Sequence, residues 1–113
     1  MIKRTVDATT GKGWFVGPWN STVTVAIGFA DVGINEPHAH QRMYEIYLVA
    51  RGTSTAVVDG NLVVLEAGDM LAVEPGELHT FIDSSVDYLH FVVQSPFVSG
   101  DKTNQADQLG LPP

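Results

Sequence analysis

The sequence predicts an all-β protein, and three observations indicate this class. Short runs of β-branched and aromatic residues recur along the 113 residues and alternate with turn-forming residues. No segment shows a sustained helical period bounded by capping residues. Eleven glycines and six prolines suit many short strands joined by turns. This pattern is typical of a β-sandwich or a β-barrel, and the length accommodates one domain, residues 1–113.

The predicted strands follow one another at short intervals. Residues 21–30 carry β-branched side chains at five positions, which favours a strand. Farther along, Asp59-Gly60-Asn61 separates two strands, and a hairpin is predicted there because Gly60 accepts positive φ. The complete predicted set, in chain order, is residues 14–17, 21–30, 44–51, 53–59, 62–66, 70–73, 79–82 and 86–94.

Two of these strands are apolar on both faces, at residues 56–58 and 62–65. Strands of this kind are covered on their outer side as well, so the sequence predicts a second subunit there and a homodimer. The predicted core of the domain spans about residues 13–94. The polar residues 95–113 follow it, and both disorder and packing over the barrel stay open for them.

Three histidines and a glutamate are the candidate functional residues. His38 and His40 are two positions apart in an extended segment, so their side chains point to the same face. Glu45 has the opposite parity and joins them only if the chain bends between His40 and Tyr44, which the intervening polar residues allow. His79 follows a Pro-Gly turn farther along the chain.

Three imidazoles and one carboxylate supply the ligand types of a divalent transition-metal site. They fill four positions, so a six-coordinate metal would keep two for substrate, water or dioxygen. This donor set favours Fe(II), Mn(II), Ni(II) or Cu(II) over Zn(II), which more often stays four-coordinate. The alternative is a barrel that has these residues and is metal-free or only weakly occupied.

The segments around these residues resemble the paired motifs of the cupin superfamily. The first motif matches at Gly33, His38, His40, Glu45 and Gly52, although four residues separate Gly33 from His38 where the family usually has five. The metal-ligand positions of this motif are intact.

The second motif matches at Gly68, Gly76 and His79. Glu74 stands where the family has proline, and Asp83 stands where it has asparagine. Both departures fall on turn-forming positions. The resemblance covers about residues 33–83 and implies a double-stranded β-helix, the jelly-roll barrel, with His38, His40, Glu45 and His79 as metal ligands.

Members of the family that the chain resembles catalyse dioxygenation, isomerisation, decarboxylation or epimerisation, and many small members have no established activity. Two functions of different class therefore remain open. One is a metal-dependent enzyme acting on a small organic molecule, and the other is a non-catalytic barrel that binds or senses a small ligand. The 2-oxoglutarate oxygenases are disfavoured because they use His-x-Asp or His-x-Glu where this chain has His-x-His.

Strand parity nominates residues for the substrate pocket. Tyr47 and Val49 share the face of Glu45, and Phe81 shares the face of His79. These three side chains are therefore expected inside the barrel. For Tyr47, a packed core aromatic is the alternative to a substrate contact.

Three further assignments complete the candidate site. Arg42 lies in the bend between the ligands and could meet an anionic substrate, with a solvated arginine as the alternative. His90 is eligible as a general acid or base by its ordinary pKa range, with a structural histidine as the alternative. Tyr47 is the other candidate for a catalytic role.

Charge and composition exclude several classes of function. The net charge is −7 and the six basic residues are scattered, which argues against binding to nucleic acid or to an anionic membrane. No cysteine is present, so thiol nucleophiles, zinc–thiolate sites and disulfides are absent. No apolar run is long enough to span a membrane, and the N-terminus lacks the apolar region of a signal peptide. A cytoplasmic protein is expected.

Overall fold

The computed structural model describes residues 1–104 of the chain and confirms the all-β prediction. Within these residues ten strands form two antiparallel five-stranded sheets, and no helix is long and apolar enough to cross a membrane. The strands are β1 (Lys12–Val16), β2 (Ala26–Ala30), β3 (His38–His40), β4 (Tyr44–Arg51), β5 (Thr53–Val58), β6 (Asn61–Glu66), β7 (Met70–Val73), β8 (His79–Ser84), β9 (Leu89–Ser95) and β10 (Lys102–Asn104).

The two sheets enclose the hydrophobic core. The first sheet has the strand order β1-β2-β9-β4-β7, and the second has the order β10-β3-β8-β5-β6. Strands alternate between the sheets along much of the chain, which is the arrangement of a jelly roll. The core cluster takes side chains from both sheets, namely Tyr47, Val49, Ala56, Leu65, Val73, Phe81, Tyr88 and Val92.

The predicted hairpin between β5 and β6 is confirmed. Val58 pairs with Asn61, and the two residues between them, Asp59 and Gly60, both have positive φ, at 46° and 82°. Two successive positive φ angles are characteristic of the type I′ turn, whose twist matches that of the flanking strands. The Asp59 side chain adds an acceptor for the backbone N–H of Leu78 at 2.8 Å, which ties this turn to the chain before β8.

The strand predicted at residues 21–30 is shorter than expected, because β2 begins only at Ala26. Ser21 explains the difference. Its hydroxyl donates to the carbonyl oxygen of Gly17 at 2.9 Å and accepts the backbone N–H of Val23 at 3.0 Å. Local bonds of this kind satisfy backbone groups that a sheet would otherwise pair, so the β-branched residues before Ala26 lie in a turn region.

A sharp bend separates β3 from β4 and moves the chain from the second sheet to the first. The buried carboxylate of Asp101 holds this bend, since its Oδ2 accepts the backbone N–H groups of Arg42 at 2.8 Å and Met43 at 3.0 Å. Burial raises the pKa of the Asp101 carboxyl, and these backbone donors outweigh that effect and lower it. The bend that the parity of Glu45 requires is therefore present.

The polar segment after β9 is partly built into the fold. β10 pairs with β3, with Lys102 opposite His40 and Thr103 opposite Ala39. The segment therefore adds an edge strand to the second sheet instead of ending the ordered domain at residue 94. Residues 105–113, which the sequence analysis also assigned to the polar tail, lie outside the described residues.

The outer face of β6 is open in the single chain. Leu62 and Val64 are 70% and 74% exposed, whereas Leu65 on the opposite face is buried. The strand predicted to be apolar on both faces thus buries one face only. The homodimer that would cover the other face stays a prediction, and the oligomeric state in solution is the measurement that checks it.

Candidate metal centre

The two sheets bring the four predicted ligand residues together. His38 and His40 lie on β3, His79 begins β8 beside His38, and Glu45 reaches across from β4 in the other sheet. All four side chains are buried, and one candidate ligand atom from each lies within 4.8 Å of the other three. The carboxylate of Glu45 is central, since its oxygens lie 3.0, 3.2 and 3.5 Å from the Nε2 atoms of His79, His40 and His38.

Backbone carbonyls fix the orientation of two of the histidines. The Nδ1 of His38 lies 2.7 Å from the carbonyl oxygen of Glu36, and the Nδ1 of His79 lies 3.0 Å from that of Glu77. A carbonyl only accepts hydrogen bonds, so Nδ1 carries the proton in each ring. The Nε2 atoms therefore face the centre of the cluster, which is the arrangement of metal-binding histidines whose other nitrogen is held by a carbonyl.

His40 differs from the other two histidines because neither of its ring nitrogens has a hydrogen-bond partner among the described residues. Its side chain is buried, with 4% of the residue exposed. Leaving a buried polar atom unpaired costs about 1–3 kcal/mol. A cation among the four side chains would give the Nε2 of His40 a partner, so the residues present fit a divalent metal bound by three nitrogens and one oxygen.

Glu45 is held as a charged and oriented carboxylate. Burial alone raises the pKa of its carboxyl, and the adjacent imidazoles of His38, His40 and His79 outweigh that effect and hold the pKa well below its usual range. The Tyr47 hydroxyl donates to one carboxylate oxygen. The side-chain amide of Gln94 donates to the other oxygen at 2.7 Å.

The contact between the Tyr47 hydroxyl and Glu45 also affects the protonation state of Tyr47. Burial and the adjacent charge of Glu45 raise the pKa of the Tyr47 phenol well above its ordinary value. The phenol therefore acts as a hydrogen-bond donor that fixes one oxygen of the Glu45 carboxylate.

A cavity of about 490 Å³ opens next to this cluster and reaches His38, His40 and Glu45. Tyr47 and His90 form part of its wall, so both predicted catalytic candidates face the same space as the cluster. A cavity of this size is within the range that accommodates small organic ligands.

Three residues predicted for the pocket lie elsewhere, which corrects the expectation from sequence. Val49 and Phe81 belong to the hydrophobic core cluster and do not line the cavity. The side chain of Arg42 is 71% exposed and has its Nε 3.7 Å from Asp101 on the outside of the bend. Strand parity correctly assigns Val49 and Phe81 to the interior of the barrel. It does not indicate how far inside they lie, and both belong to the core between the two sheets.

His90 is buried, and the chain supplies a partner for one of its nitrogens. Its Nδ1 lies 2.7 Å from the Tyr88 hydroxyl, and its ring packs edge-on against Tyr47 at a centroid distance of 5.0 Å. Burial lowers the pKa of His90 from 6.5 to about 4. The imidazole is therefore neutral near pH 7, and Nε2 is the nitrogen left to meet a ligand.

Several groups around the cavity were not predicted from the sequence. Gln94 lies opposite Glu45 in the pairing of β9 with β4. Its sequence position could have indicated this, because Gln94 is a polar residue in a mostly apolar strand and has the same parity as His90. Trp14 and Lys12 share one face of β1, which parity could have shown once that strand was known to be next to β2. Lys102 offered no signal, because it lies outside both motifs.

Comparison with known proteins identifies the fold. A family model described as a cupin domain matches residues 23–94. Among solved structures, a cupin protein from Bacteroides fragilis has a TM-score of 0.66 and 19% identity, covering 87% of this chain and 86% of that chain. These matches confirm the predicted jelly-roll fold, whereas no curated protein matches the sequence.

Two further structural neighbours are the named proteins Pac13 and KdgF. A variant of Streptomyces Pac13 with uridine has a TM-score of 0.65 and 15% identity, covering 91% of each chain, and Pac13 is called a nucleoside dehydratase. KdgF from Halomonas sp. has a TM-score of 0.63 and 20% identity, covering 83% of this chain and 86% of that chain. At such identities the likeness shows the fold alone.

Proposed function

This chain belongs to the cupin family, and we propose that it is a metal-dependent enzyme that acts on a small organic molecule, with His38, His40, Glu45 and His79 as metal ligands. The observation that carries the proposal is the buried His40, whose ring nitrogens have no hydrogen-bond partner among the described residues although its Nε2 lies 3.2 Å from Glu45 and the other ligand-type side chains surround it. Fe(II), Mn(II), Ni(II) or Cu(II) suits this donor set better than Zn(II).

A bound divalent ion would supply Lewis-acid chemistry, polarising a substrate oxygen in the cavity. The residues around it have separate tasks. Tyr47 and Gln94 hold the two oxygens of Glu45, which keeps the carboxylate in one orientation. Phe29 and Val92 form an apolar part of the cavity wall, against which the body of a substrate can pack.

His90 is the candidate for proton transfer. With the Nδ1–H of His90 donating to the Tyr88 hydroxyl oxygen, the neutral ring has its lone pair on Nε2, and a proton is taken up there and given back from there. The pKa of about 4 makes the neutral imidazole a proton acceptor rather than a donor in the resting state. The Tyr47 hydroxyl donates to Glu45, so we assign to Tyr47 the role of orienting this carboxylate and not that of transferring a proton.

Structural neighbours support an enzymatic role for a fold of this size. Pac13, which has the same fold over nearly the whole chain, is called a dehydratase, and its variant is recorded with a bound nucleoside. This likeness shows that a small cupin chain without a second domain can carry out chemistry. It does not transfer the substrate.

A second candidate function is a barrel that binds a small ligand without converting it. The apolar side chains of Trp14, Ile34 and Val92 in the cavity wall favour this alternative, since they bind a ligand without any need for metal. In that case Glu45→Ala and His79→Ala would retain the affinity for ligand, whereas the enzyme proposal requires that both lose metal and turnover together.

Metal analysis of protein purified without an affinity tag tests the proposal. We expect near-stoichiometric iron, manganese, nickel or copper in the wild-type protein and none in His40→Ala or His79→Ala. Lys3→Ala, on the exposed N-terminal segment, is the matched control and should retain the metal. A wild-type protein that contains no metal, and takes up none of these ions when each is added, would overturn the enzyme proposal and leave the binding barrel.

A further inference from the structure

We propose that the ligand of this cavity is a small organic anion, whose body packs on Trp14 and whose negative group lies between Lys12 and Lys102. The inference rests on the proposed function, because it names the substrate class of the same cavity. Three observations carry it: the position of the two lysines, the charge balance of the cavity, and the way in which the indole of Trp14 is held.

The two lysines approach the cavity from different sheets. Lys12 lies on β1 at the edge of the first sheet, and Lys102 lies on β10 at the edge of the second sheet, opposite His40. Both line the cavity, although the whole chain has only six lysines and arginines and a net charge of −7. Two of the six cationic side chains therefore border a single opening in an acidic protein.

Glu36 lines the cavity together with these two lysines. The Nζ of Lys102 lies 2.7 Å from the Glu36 carboxylate. Within residues 1–104, Lys12 forms no salt bridge. Lys102 is therefore paired with a carboxylate, whereas the ammonium group of Lys12 is left without one beside the cavity.

The charge balance of the whole cavity favours an anion more strongly. The charges of Lys12 and Lys102 cancel those of Glu36 and Glu45, so a divalent cation at the proposed centre leaves two positive charges in a partly enclosed space. A net positive charge in a partly enclosed space attracts ligands of the opposite sign. A ligand with one anionic group at the lysines and a metal-binding oxygen at the other end neutralises this excess.

Trp14 provides a fixed apolar surface beside the lysines. A Cβ atom on Gly28 would lie 2.7 Å from the Cε3 atom of the indole, so glycine at this position is what allows the ring to lie against β2. Trp19 contacts the ring at right angles, with centroids 6.4 Å apart. Trp14 is nevertheless 49% exposed and lines the cavity, so the body of a planar or apolar ligand can pack against a ring that is already positioned.

A matched pair of probes tests the proposal by isothermal titration calorimetry on the nickel-loaded full chain. Protocatechuate has a metal-chelating catechol and a carboxylate on the opposite side of the ring, and its primary amide is the neutral isostere. We expect the acid to bind about tenfold more tightly than the amide in the wild-type protein. Lys12→Met and Lys102→Met should each bring this ratio close to one, whereas Lys3→Met should leave it unchanged.

Two further variants separate the parts of the proposal. Glu36→Gln removes the competing carboxylate, so it should raise the affinity for the acid without changing that for the amide. Trp14→Ala should weaken both probes by a similar factor, because the ring contacts the body that they share. Equal effects of the lysine substitutions on acid and amide would indicate a general loss of structure and would contradict a charge-specific site.

Failure of the metal centre and failure of the anion site are distinguishable. Metal content is measured on every sample, and the titrations are repeated on metal-free protein. Loss of the metal lowers the affinity for both probes, and the acid-to-amide ratio still reports on the lysines. A ratio near one in the wild-type protein, a ratio unaffected by either lysine, or no measurable binding of the acid would overturn the proposal.

Discussion

The interior of this protein contains two groups of buried histidines that differ in how their nitrogens are partnered. His90 and Tyr88 form a pair in which the chain satisfies the Nδ1 atom, and the ring is neutral and packed among aromatics. In the cluster around Glu45, the chain leaves both nitrogens of His40 unpartnered within the described residues. Tyr47 lies between the groups, contacting His90 with its ring and Glu45 with its hydroxyl.

Hydrogen-bond partners, and not burial, separate a structural histidine from a candidate metal ligand. Burial does not distinguish them, because His90 and His40 are both almost fully buried. The partners do distinguish them, since a buried polar group without a partner in the chain is stable only if something else supplies one. The comparison predicts that the His40 group depends on an added ion and that the His90 group does not.

Adding metal should produce the largest effect. At a free metal concentration a thousandfold above Kd, binding stabilises the folded state by roughly 4 kcal/mol, which corresponds to an increase in Tm of at least about 10 °C for a domain of this size. We expect this increase in the wild-type protein and in His90→Asn, but not in His40→Ala. Thermal unfolding with and without a chelator is the measurement. A similar increase in His40→Ala would contradict the assignment of the site.

The pH dependence of stability should reveal His90 in the metal-free protein. Burial lowers its folded-state pKa to about 4 from 6.5, so between these values the unfolded chain binds a proton that the folded chain does not. The stability that the neutral His90 contributes is therefore fully present above pH 6.5 and is lost as the pH falls to 4. The free energy of unfolding should fall by roughly 3 kcal/mol in total over this range. Urea titrations at several pH values should give a steeper decline for the wild-type protein than for His90→Asn, and equal declines would disprove the role of burial.

Tyr47→Phe tests the link between the two groups. The substitution retains the ring that packs on His90 and removes only the hydroxyl that donates to Glu45. Loss of a group that orients a metal ligand lowers metal affinity about 10–100-fold. Competition with a chromophoric chelator measures this change. Val49→Ala, a core substitution without a polar group, is the control, and it should lower stability while leaving the metal affinity within about twofold.

Asp101→Ala should have the smallest effect, because it acts on the bend and not on a ligand. Two backbone N–H groups lose their acceptor, which costs about 1–2 kcal/mol in stability. Metal affinity should fall slightly, since the bend sets the position of Glu45 relative to His40. Arg42→Ala is the matched control and should change stability by less than about 0.5 kcal/mol, because an exposed ion pair contributes little. Equal losses for the two variants would show that the ion pair, and not the backbone contact, supports the bend.

The sequence predicted the four clustered residues because their evidence is local. The spacing of His38 and His40 gives a shared face, and the parity of Glu45 requires a bend that the structure contains. The hairpin at Gly60 was equally predictable from its turn residues. In each of these cases a short stretch of sequence contains the whole physical reason.

The remaining features depend on which strands are neighbours. Arg42 was expected near the substrate, but Asp101 holds its backbone N–H in the bend and its side chain is exposed. Lys102 lies beside the cavity only because β10 pairs with β3. Local patterns do not indicate such pairings, since contacts between residues far apart in sequence are set by the register of the sheets and by the depth of packing.

The position of β10 at the edge of the second sheet has a consequence for local unfolding. Opening of this edge strand would withdraw Lys102 from the cavity and Asp101 from the bend, because both lie on the segment that pairs with β3. The four clustered side chains of His38, His40, Glu45 and His79 lie on other strands and would stay together. Detachment of one edge strand would therefore alter the selection among organic molecules before it altered the capture of an ion.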